Sequence, residues 1–169
     1  MPDKREMRRK DKLVTDRAWM EEVLREGRVA HIGMASPDGG PYVLPIGYGY
    51  EDGVIYLHGA KNGLKNDLAA ANPRVSFNVA VGIELTRGRE GENFSSRYRS
   101  VTGFGVIEEI TDPAEMNRAL AILMRQYRGP HTDISEEKSK TLWVARIVIR
   151  EMTGKVSGYP NPGAGSDKS

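Results

Sequence analysis

The richest run of chemically useful side chains lies between His58 and Asp67. It reads His-Gly-Ala-Lys-Asn-Gly-Leu-Lys-Asn-Asp, and it leaves a predicted strand, turns through two glycines and enters a predicted helix. The start of a helix presents unpaired N–H groups and a partial positive charge, to which Lys61 and Lys65 add two ammonium groups. The pattern is suited to holding a phosphate, although a solvated surface turn has the same composition. It matches neither the Walker spacing nor the Rossmann fingerprint.

The histidines are the candidates for acid–base or ligand chemistry, and they are His31, His58 and His131. No two of them have the spacing of a metal-binding pair, so the sequence predicts no metal site. His58 stands at the end of a strand beside the phosphate turn, where a lone histidine is more often structural or simply exposed.

A second polar segment, Arg97–Gly103, combines two guanidinium groups with hydroxyls and an aromatic ring at the start of a predicted strand. Guanidinium groups bind anions and planar ring edges, and this segment could do so across a subunit interface. An ordinary exposed strand start is the alternative reading. The sequence has no Gly-x-Ser-x-Gly elbow, so it gives no support to serine hydrolase chemistry.

Cysteine is absent from the 169 residues. This excludes disulfides, thiolate metal sites and thiol catalysis by the chain's own side chains. Redox chemistry would therefore depend on a bound cofactor.

The charge is nearly balanced, with 25 Lys and Arg against 23 Asp and Glu, a net charge of +2. That balance argues against a dedicated nucleic-acid binder. The basic excess falls in the first residues, which predict a solvated basic arm over residues 1–14. No stretch approaches the ~20 apolar residues of a membrane span and no secretory signal is visible, so the expected location is the cytoplasm.

The elements that must position these residues follow from periodicity and turn chemistry. A helix is predicted from Asp16 to Glu26, with Thr15 as its cap and Gly27 as its stop. A second, longer helix begins at Asp112-Pro113-Ala114-Glu115, which supplies a cap, an early proline and a capping-box glutamate. A short helix is predicted over Leu64–Ala71. Six strands are predicted, over Arg28–Ala35, Tyr42–Tyr50, Val54–His58, Arg74–Val81, Tyr98–Ile110 and Leu142–Glu151.

These strands are mostly joined by short turns, which favours antiparallel pairing and closure into a barrel. The prediction is one α+β, mainly β, domain over residues 1–156, with a six-stranded antiparallel split barrel and flanking helices. Residues 82–96 are expected to form a long loop, and residues 157–169 a flexible tail. Pro45 indicates a strand edge or a bulge. Gly47 and Gly49 on one strand face leave room for something flat to lie against the backbone.

In its order of motifs the sequence resembles the pyridoxamine-phosphate-oxidase-like flavin-binding split barrels, and within them the group related to nitroimidazole-resistance reductases. The resemblance covers roughly residues 7–157. It rests on segments whose order and spacing match, namely Arg8–Asp11, Gly40–Tyr50, Ile55–Ala60, Lys65, Asn72–Val75, Tyr98–Gly105 and Thr153–Lys155.

The resemblance implies a homodimer that binds FMN in clefts between the subunits. The strand matching Leu44, Pro45, Ile46, Gly47 and Tyr48 would lie along the flavin ring. The turn containing His58, Gly59, Ala60, Lys61 and Lys65 would hold the phosphate. The strand with Arg99, Ser100 and Val101 would come from the partner, and His58 is matched to a histidine with a catalytic role in the nitroimidazole-reductase group.

Three functions follow as hypotheses. The first is an FMN-dependent oxidoreductase acting on a small molecule, such as a nitroaromatic or quinone-like compound. The second is a haem-binding or haem-handling protein on the same barrel, with His58 or His31 as axial ligand. The third is a non-enzymatic flavin-binding dimer whose basic arm contacts nucleic acid, although nucleic acid is not the expected partner. The resemblance stops short of the Arg-Leu-x-Pro-type segment of true pyridoxamine-phosphate oxidases, so oxidation of that substrate is not expected.

Overall fold

The computed structural model describes residues 7–87, 94–130 and 133–162, except for the side chain of Glu136. Within these ranges the chain forms seven strands and four α-helices, with a 3-10 turn at Lys10–Lys12 before them. In chain order the elements are β1 (Leu13–Val14), α1 (Arg17–Glu26), β2 (Val29–Ala35), β3 (Pro41–Glu51), β4 (Val54–Ala60), α2 (Leu64–Ala71), β5 (Arg74–Thr86), β6 (Ser95–Glu109), α3 (Pro113–Tyr127), α4 (Glu136–Ser139) and β7 (Leu142–Ser157).

Six of the strands close into a barrel. Their order is β7-β4-β3-β2-β5-β6, every pair is antiparallel, and pairing of β6 with β7 completes the ring. The short β1 adds to the ring by pairing Leu13 with Lys155 and Val14 with Gly154. The structure confirms the predicted six-stranded antiparallel split barrel with flanking helices, and it adds β1 as a seventh strand.

The β2–β3 hairpin leaves the barrel wall at its tip, and this is where the barrel is split. The neighbour β5 pairs with β2 only from His31 to Gly33, and the neighbour β4 pairs with β3 only from Tyr48 to Glu51. The remaining part of the hairpin, residues 34–47, is termed the hairpin tip. Its strand residues pair only within the β2–β3 hairpin. Pro45 lies in the tip, as predicted for an edge, because proline has no N–H for a second neighbour.

Helix α1 begins as its sequence indicates, but one residue later than predicted. The side chain of Asp16, not of Thr15, caps it and accepts a hydrogen bond from the Trp19 N–H at 2.7 Å. Thr15 was therefore the wrong cap, and Gly27 ends the helix as predicted. Its apolar stripe of Met20, Val23 and Leu24 is buried in the barrel core.

Helix α3 has the predicted cap and packs on the outside of the barrel. The Asp112 carboxylate accepts a hydrogen bond from the Glu115 N–H at 2.9 Å, and Pro113 opens the helix. Together with residues of β7 and the β6–α3 connection, its inner face forms a second apolar cluster of Ile110, Met116, Ala119, Leu120, Leu123 and Val144. The outer surface of the β3–β4 wall is thus covered by a helix of the chain itself.

Three boundaries differ from prediction because the signals there are weak. Within the predicted loop over residues 82–96, residues 82–86 belong to β5 and residues 95–96 to β6, and residues 84–86 pair with residues 95–97. Residues 88–93 lie outside the described part. A two-stranded ribbon with solvent on both faces needs no apolar alternation, so its strands are hard to predict. Strand β7 runs past Glu151 to Ser157, and α4, one turn capped by Ser135, is too short to show helical periodicity.

Both ends of the described chain are held against the barrel. The Lys12 Nζ donates to the Ser157 hydroxyl at 2.8 Å, and the Tyr159 hydroxyl donates to the Gly82 carbonyl at 2.9 Å. The Asn161 amide donates to the Asp11 and Leu13 carbonyls at 2.9 and 3.2 Å. Residues 10–14 of the predicted solvated arm and residues 157–161 of the predicted flexible tail therefore contact the barrel. Residues 1–6 and 163–169 lie outside the described part.

Candidate functional site

The turn between β4 and α2 forms an open helix start, as the sequence predicted. Gly63 precedes the helix with a φ of 137°, a conformation that favours glycine, and no side chain caps this end. The Gly63 carbonyl accepts hydrogen bonds from the Asn66 and Asp67 N–H groups at 2.9 and 3.3 Å. Because no side-chain acceptor covers this end, its first N–H groups and positive end charge are open to an anion.

Lys65 lies across this turn rather than pointing into solvent. Its Nζ donates to the Ala60 carbonyl at 3.0 Å and to the Asn66 side-chain oxygen at 2.9 Å, and it sits 4.6 Å from the centre of the Trp143 ring. Its terminal atoms also lie over Gly59, whose absent Cβ would be 3.1 Å from the Lys65 Cε. Burial lowers the pKa of Lys65. An ammonium group has three N–H donors, so one donor of Lys65 is left for a ligand.

His58 is the last polar residue before the turn and its side chain is exposed. It faces Val144 in the β4–β7 pairing, and its ring makes no hydrogen bond to the described residues. Desolvation by the surrounding protein lowers the pKa of His58 below the ordinary value for histidine, so the ring is mainly neutral at pH 7. Lys61, the other predicted phosphate contact, is exposed in the turn itself.

Part of the predicted β3 segment lies next to the β4–α2 turn. Leu44 and Ile46 are half-buried and line one small pocket with Lys65 and Trp143, so the structure brings these predicted residues together. Pro45 points to the opposite, exposed side of the strand. Along this stretch β3 has only β2 as a neighbour, so its N–H and C=O groups facing β4 have no partner strand.

The glycine prediction on the same strand was wrong. A Cβ on Gly49 would stand 2.8 Å from the Leu123 backbone nitrogen, and one on Gly47 would collide with the Tyr127 hydroxyl. The space at both glycines is filled by α3 and is not available to a flat ligand. Tyr48 between them is fully buried, with its hydroxyl donating to the Leu24 carbonyl at 2.5 Å, so its side chain cannot face a cofactor.

The predicted segment Arg99–Val101 lies on β6, on the opposite side of the ring from β3, so one chain does not bring the two segments together. The Arg99 guanidinium donates to both carboxylate oxygens of Glu26 at 2.9 and 2.8 Å. The Val101 side chain is fully buried in the core, which leaves only its backbone for a ligand. Ser100 lines a cleft of about 360 Å³ on the outer wall, together with Tyr98 and Lys155.

A further, large cleft was not predicted. It has a volume of about 710 Å³ and lies at the split, where β2 and β5 diverge beyond Gly33. It is termed the tip cleft, and the lining residues used below are Met34, Val43, Arg74, Val75, Phe104 and Arg150. No sequence motif marks the cleft, because it arises where two strands stop pairing. The weak signal is Asn72-Pro73-Arg74, the segment in which β5 begins.

Metal and membrane features were sought in the described residues. Residues 7–87, 94–130 and 133–162 contain no group of three or more His, Cys, Asp or Glu side chains that could hold a metal ion. None of the helices in those ranges combines the length and the apolar character that a bilayer crossing requires.

Comparison with known families agrees with the barrel. A family model for pyridoxamine 5'-phosphate oxidase matches residues 16–156. The chain belongs to this family. The match spans every strand of the ring, so the resemblance inferred from the sequence is confirmed. No curated protein matches the chain.

Solved structures with the same fold include proteins of more than one kind. A candidate 5-nitroimidazole antibiotic resistance protein from Bacteroides thetaiotaomicron is 28% identical, with a TM-score of 0.76 over 85% of this chain and 86% of that chain. A FAD-binding protein from Mesorhizobium loti is 26% identical, with a TM-score of 0.61 over 84% and 95%. A flavocytochrome from Azotobacter vinelandii is 23% identical, with a TM-score of 0.77 over 92% and 73%, and shows the fold alone.

Proposed function

We propose that the protein is an FMN-binding oxidoreductase that acts as a homodimer on a small-molecule substrate of the nitroaromatic or quinone-like type. The observation that carries this proposal is the unpaired edge of β3 at the hairpin tip, beside the uncapped start of α2. The β3 edge offers backbone hydrogen bonds to a planar heterocycle, and the start of α2 offers an anion site.

The residues present fit a phosphate at the start of α2. The open N–H groups there, the remaining donor of Lys65 and the exposed Lys61 supply charge-assisted hydrogen bonds. The pKa shift of Lys65, downward by burial, does not remove its charge at neutral pH because an ammonium group starts near ~10.4. Gly59 and Ala60 keep this side of the turn free of bulky side chains.

The hairpin tip fits one edge of a flavin ring. The backbone groups of residues 44–46 that face away from β2 need partners, and a ring with carbonyl and N–H groups along its edge supplies them. FMN would supply hydride or electron transfer, while the chain supplies binding, orientation and exclusion of water. Because α3 fills the space at Gly47 and Gly49, the ligand must stop short of those residues.

The other half of the proposed site comes from a second subunit. Ser100, Tyr98 and Lys155 line a cleft on the opposite wall, too far round the ring to act with β3 of the same chain. A two-fold arrangement brings the cleft of one subunit to the hairpin tip of the other. The Glu26 carboxylate holds Arg99 in place at the rim of this wall.

His58 is proposed to serve the substrate rather than the cofactor phosphate. A mainly neutral, exposed imidazole contributes little charge to phosphate binding, but it can exchange a proton with a substrate. If it does, His58→Gln retains flavin affinity and lowers nitroaromatic turnover by roughly 10²–10⁴, the effect of losing a general acid or base. Weaker flavin binding with normal turnover per bound flavin would assign His58 to the turn instead.

Flavin titration tests the binding proposal. Lys65→Met keeps the apolar chain over Trp143 and removes the ammonium group. We expect it to weaken FMN binding by about 1.5–3 kcal/mol, the range for a charge-assisted hydrogen bond, while riboflavin, which lacks the phosphate, is nearly unaffected. Fluorescence quenching of each flavin measures both affinities.

The control is Lys138→Met, which removes an exposed lysine from α4 and should change neither affinity. Equal losses for FMN and riboflavin in Lys65→Met would show that Lys65 does not contact the phosphate. If wild-type protein binds no flavin but gives an intense Soret band with haem, the oxidoreductase proposal fails in favour of a haem-handling protein.

A further inference from the structure

The tip cleft has the size and lining of a ligand site but contains none of the residues assigned to flavin binding. Its volume of about 710 Å³ falls within the ~300–1,000 Å³ usual for small-molecule sites. It opens beside the first residues of β5 and borders the hairpin tip at Met34 and Val43. Val43 and Leu44 are neighbours in β3 and alternate between exposed and half-buried, so the cleft and the proposed flavin edge lie on different faces of the tip.

Apolar side chains line the cleft. Met34 and Val75 point towards the core and are only 6% and 4% exposed, so they form the floor of the cleft where β2 no longer pairs with β5. Phe104 and Val43 add apolar surface from the outer face, and Val43 is 64% exposed. An apolar body placed here would remove this surface from water.

Two arginines stand at this apolar cleft without an anionic partner. Most other arginines in the described ranges are paired, for example Arg17 with Glu21, Arg97 with Glu84 and Arg146 with Glu108. Arg74 and Arg150 are exposed, and within the described residues neither guanidinium group has an ion pair or a side-chain hydrogen bond. A guanidinium group binds a carboxylate or phosphate through two parallel hydrogen bonds, so the charge complement of this cleft is an anion.

We propose that the tip cleft binds an amphipathic anion, a small molecule with an apolar body and one carboxylate or phosphate group. The body packs against Met34, Val43, Val75 and Phe104, and the anionic group pairs with Arg74 and Arg150. Of the cleft residues, Met34 also lines the small pocket that contains Leu44, Ile46 and Lys65, whereas Arg74 and Arg150 lie outside that pocket.

Displacement of a fluorescent fatty acid from the full chain tests the proposal. The probe is 11-(dansylamino)undecanoate, and the competitors are dodecanoate, dodecyl phosphate and dodecan-1-ol, which share one tail length. We expect at least one anion to compete about tenfold or more better than the alcohol, since charge-assisted hydrogen bonds carry the difference. The relative strength of the two anions then identifies the preferred head group.

Two variants localise the effect. Arg74→Gln combined with Arg150→Gln should remove the preference for the anions over the alcohol. Val43→Trp should weaken all competitors by filling the cleft, and the high exposure of Val43 leaves the fold intact. Arg118→Gln is the control, because it removes the same charge from α3 on a different wall and should change nothing.

The proposal would be overturned if the anions and the alcohol competed equally well, or if Arg118→Gln had the same effect as the combined Arg74→Gln and Arg150→Gln variant. Absence of probe binding together with a change of molecular mass in Val43→Trp would assign the cleft to a contact with a second copy, and would also overturn it. If the wild-type protein binds no flavin in a separate titration, the proposed function fails, but the result of the displacement experiment at the tip cleft still stands.

Discussion

Two of the basic residues at the β4–α2 turn, His58 and Lys65, have different surroundings. Lys65 is fixed by two hydrogen bonds and an aromatic ring, whereas His58 is exposed and makes no hydrogen bond to the described residues. Burial lowers the pKa of Lys65, and desolvation by the surrounding protein lowers the pKa of His58. The sequence predicted that these residues lie together, but the direction of a flexible lysine depends on Trp143, a residue that is remote in sequence.

The lowered pKa of His58 predicts how stability depends on pH. The unfolded chain protonates histidine near ~6.5, above the folded pKa, so the unfolded state binds more protons as the pH falls below that value. The free energy of unfolding should therefore fall between pH 7.5 and pH 5, and by less in His58→Gln. Urea unfolding of both proteins at the two pH values measures this. Identical pH dependence in the two proteins would show that His58 has the same pKa folded and unfolded.

At the scale of elements, turn chemistry was the most reliable guide and strand glycines were the least. Asp112 and Gly27 were placed correctly because caps and stops act over a few residues. Gly49 was misinterpreted because the same absence of a Cβ accommodates either a ligand or a helix. In this structure α3 occupies the space at Gly49. This helix lies some seventy residues further along the chain, and no local pattern reveals where it packs. The tip cleft was missed for a similar reason, since it depends on where β2 and β5 stop pairing.

The α3 contact makes Gly49→Ala a destabilising change. The added Cβ would lie 2.8–2.9 Å from backbone atoms of Ile122 and Leu123, which cannot move as a flexible side chain can. We expect a loss of about 1–3 kcal/mol in the free energy of unfolding, the cost of overpacking. Gly59→Ala is the matched control in the neighbouring strand, because its Cβ would meet only the flexible end of Lys65. Equal urea midpoints for the two variants would contradict the close packing of α3 on β3.

At the scale of the whole molecule, the two halves of the proposed site face different directions on one chain. The β3 edge and the α2 start lie on one side of the ring, and the cleft at Ser100 lies on the other. Between them, β5 and β6 extend beyond the ring as a two-stranded arm, whose residues 84–86 and 95–97 pair only with each other. Ile83 and Leu85 on this arm are 66% and 76% exposed. Exposed apolar side chains on a projecting arm are typical of a surface that another subunit covers.

The arm predicts the outcome of a mass measurement. We expect the wild-type protein to have twice the mass of one chain at micromolar concentration, with an interface above the ~1,000 Å² usual for a stable complex. Ile83→Lys combined with Leu85→Lys places two charges in that contact, so this variant should have the mass of one chain and bind FMN more weakly, because each site would lose its second half. Val29→Lys, which places a charge at another exposed apolar residue outside the arm, should remain dimeric. Light scattering gives all three masses. A wild-type protein with the mass of one chain would refute the shared site, since the β3 edge and the Ser100 cleft could then never meet.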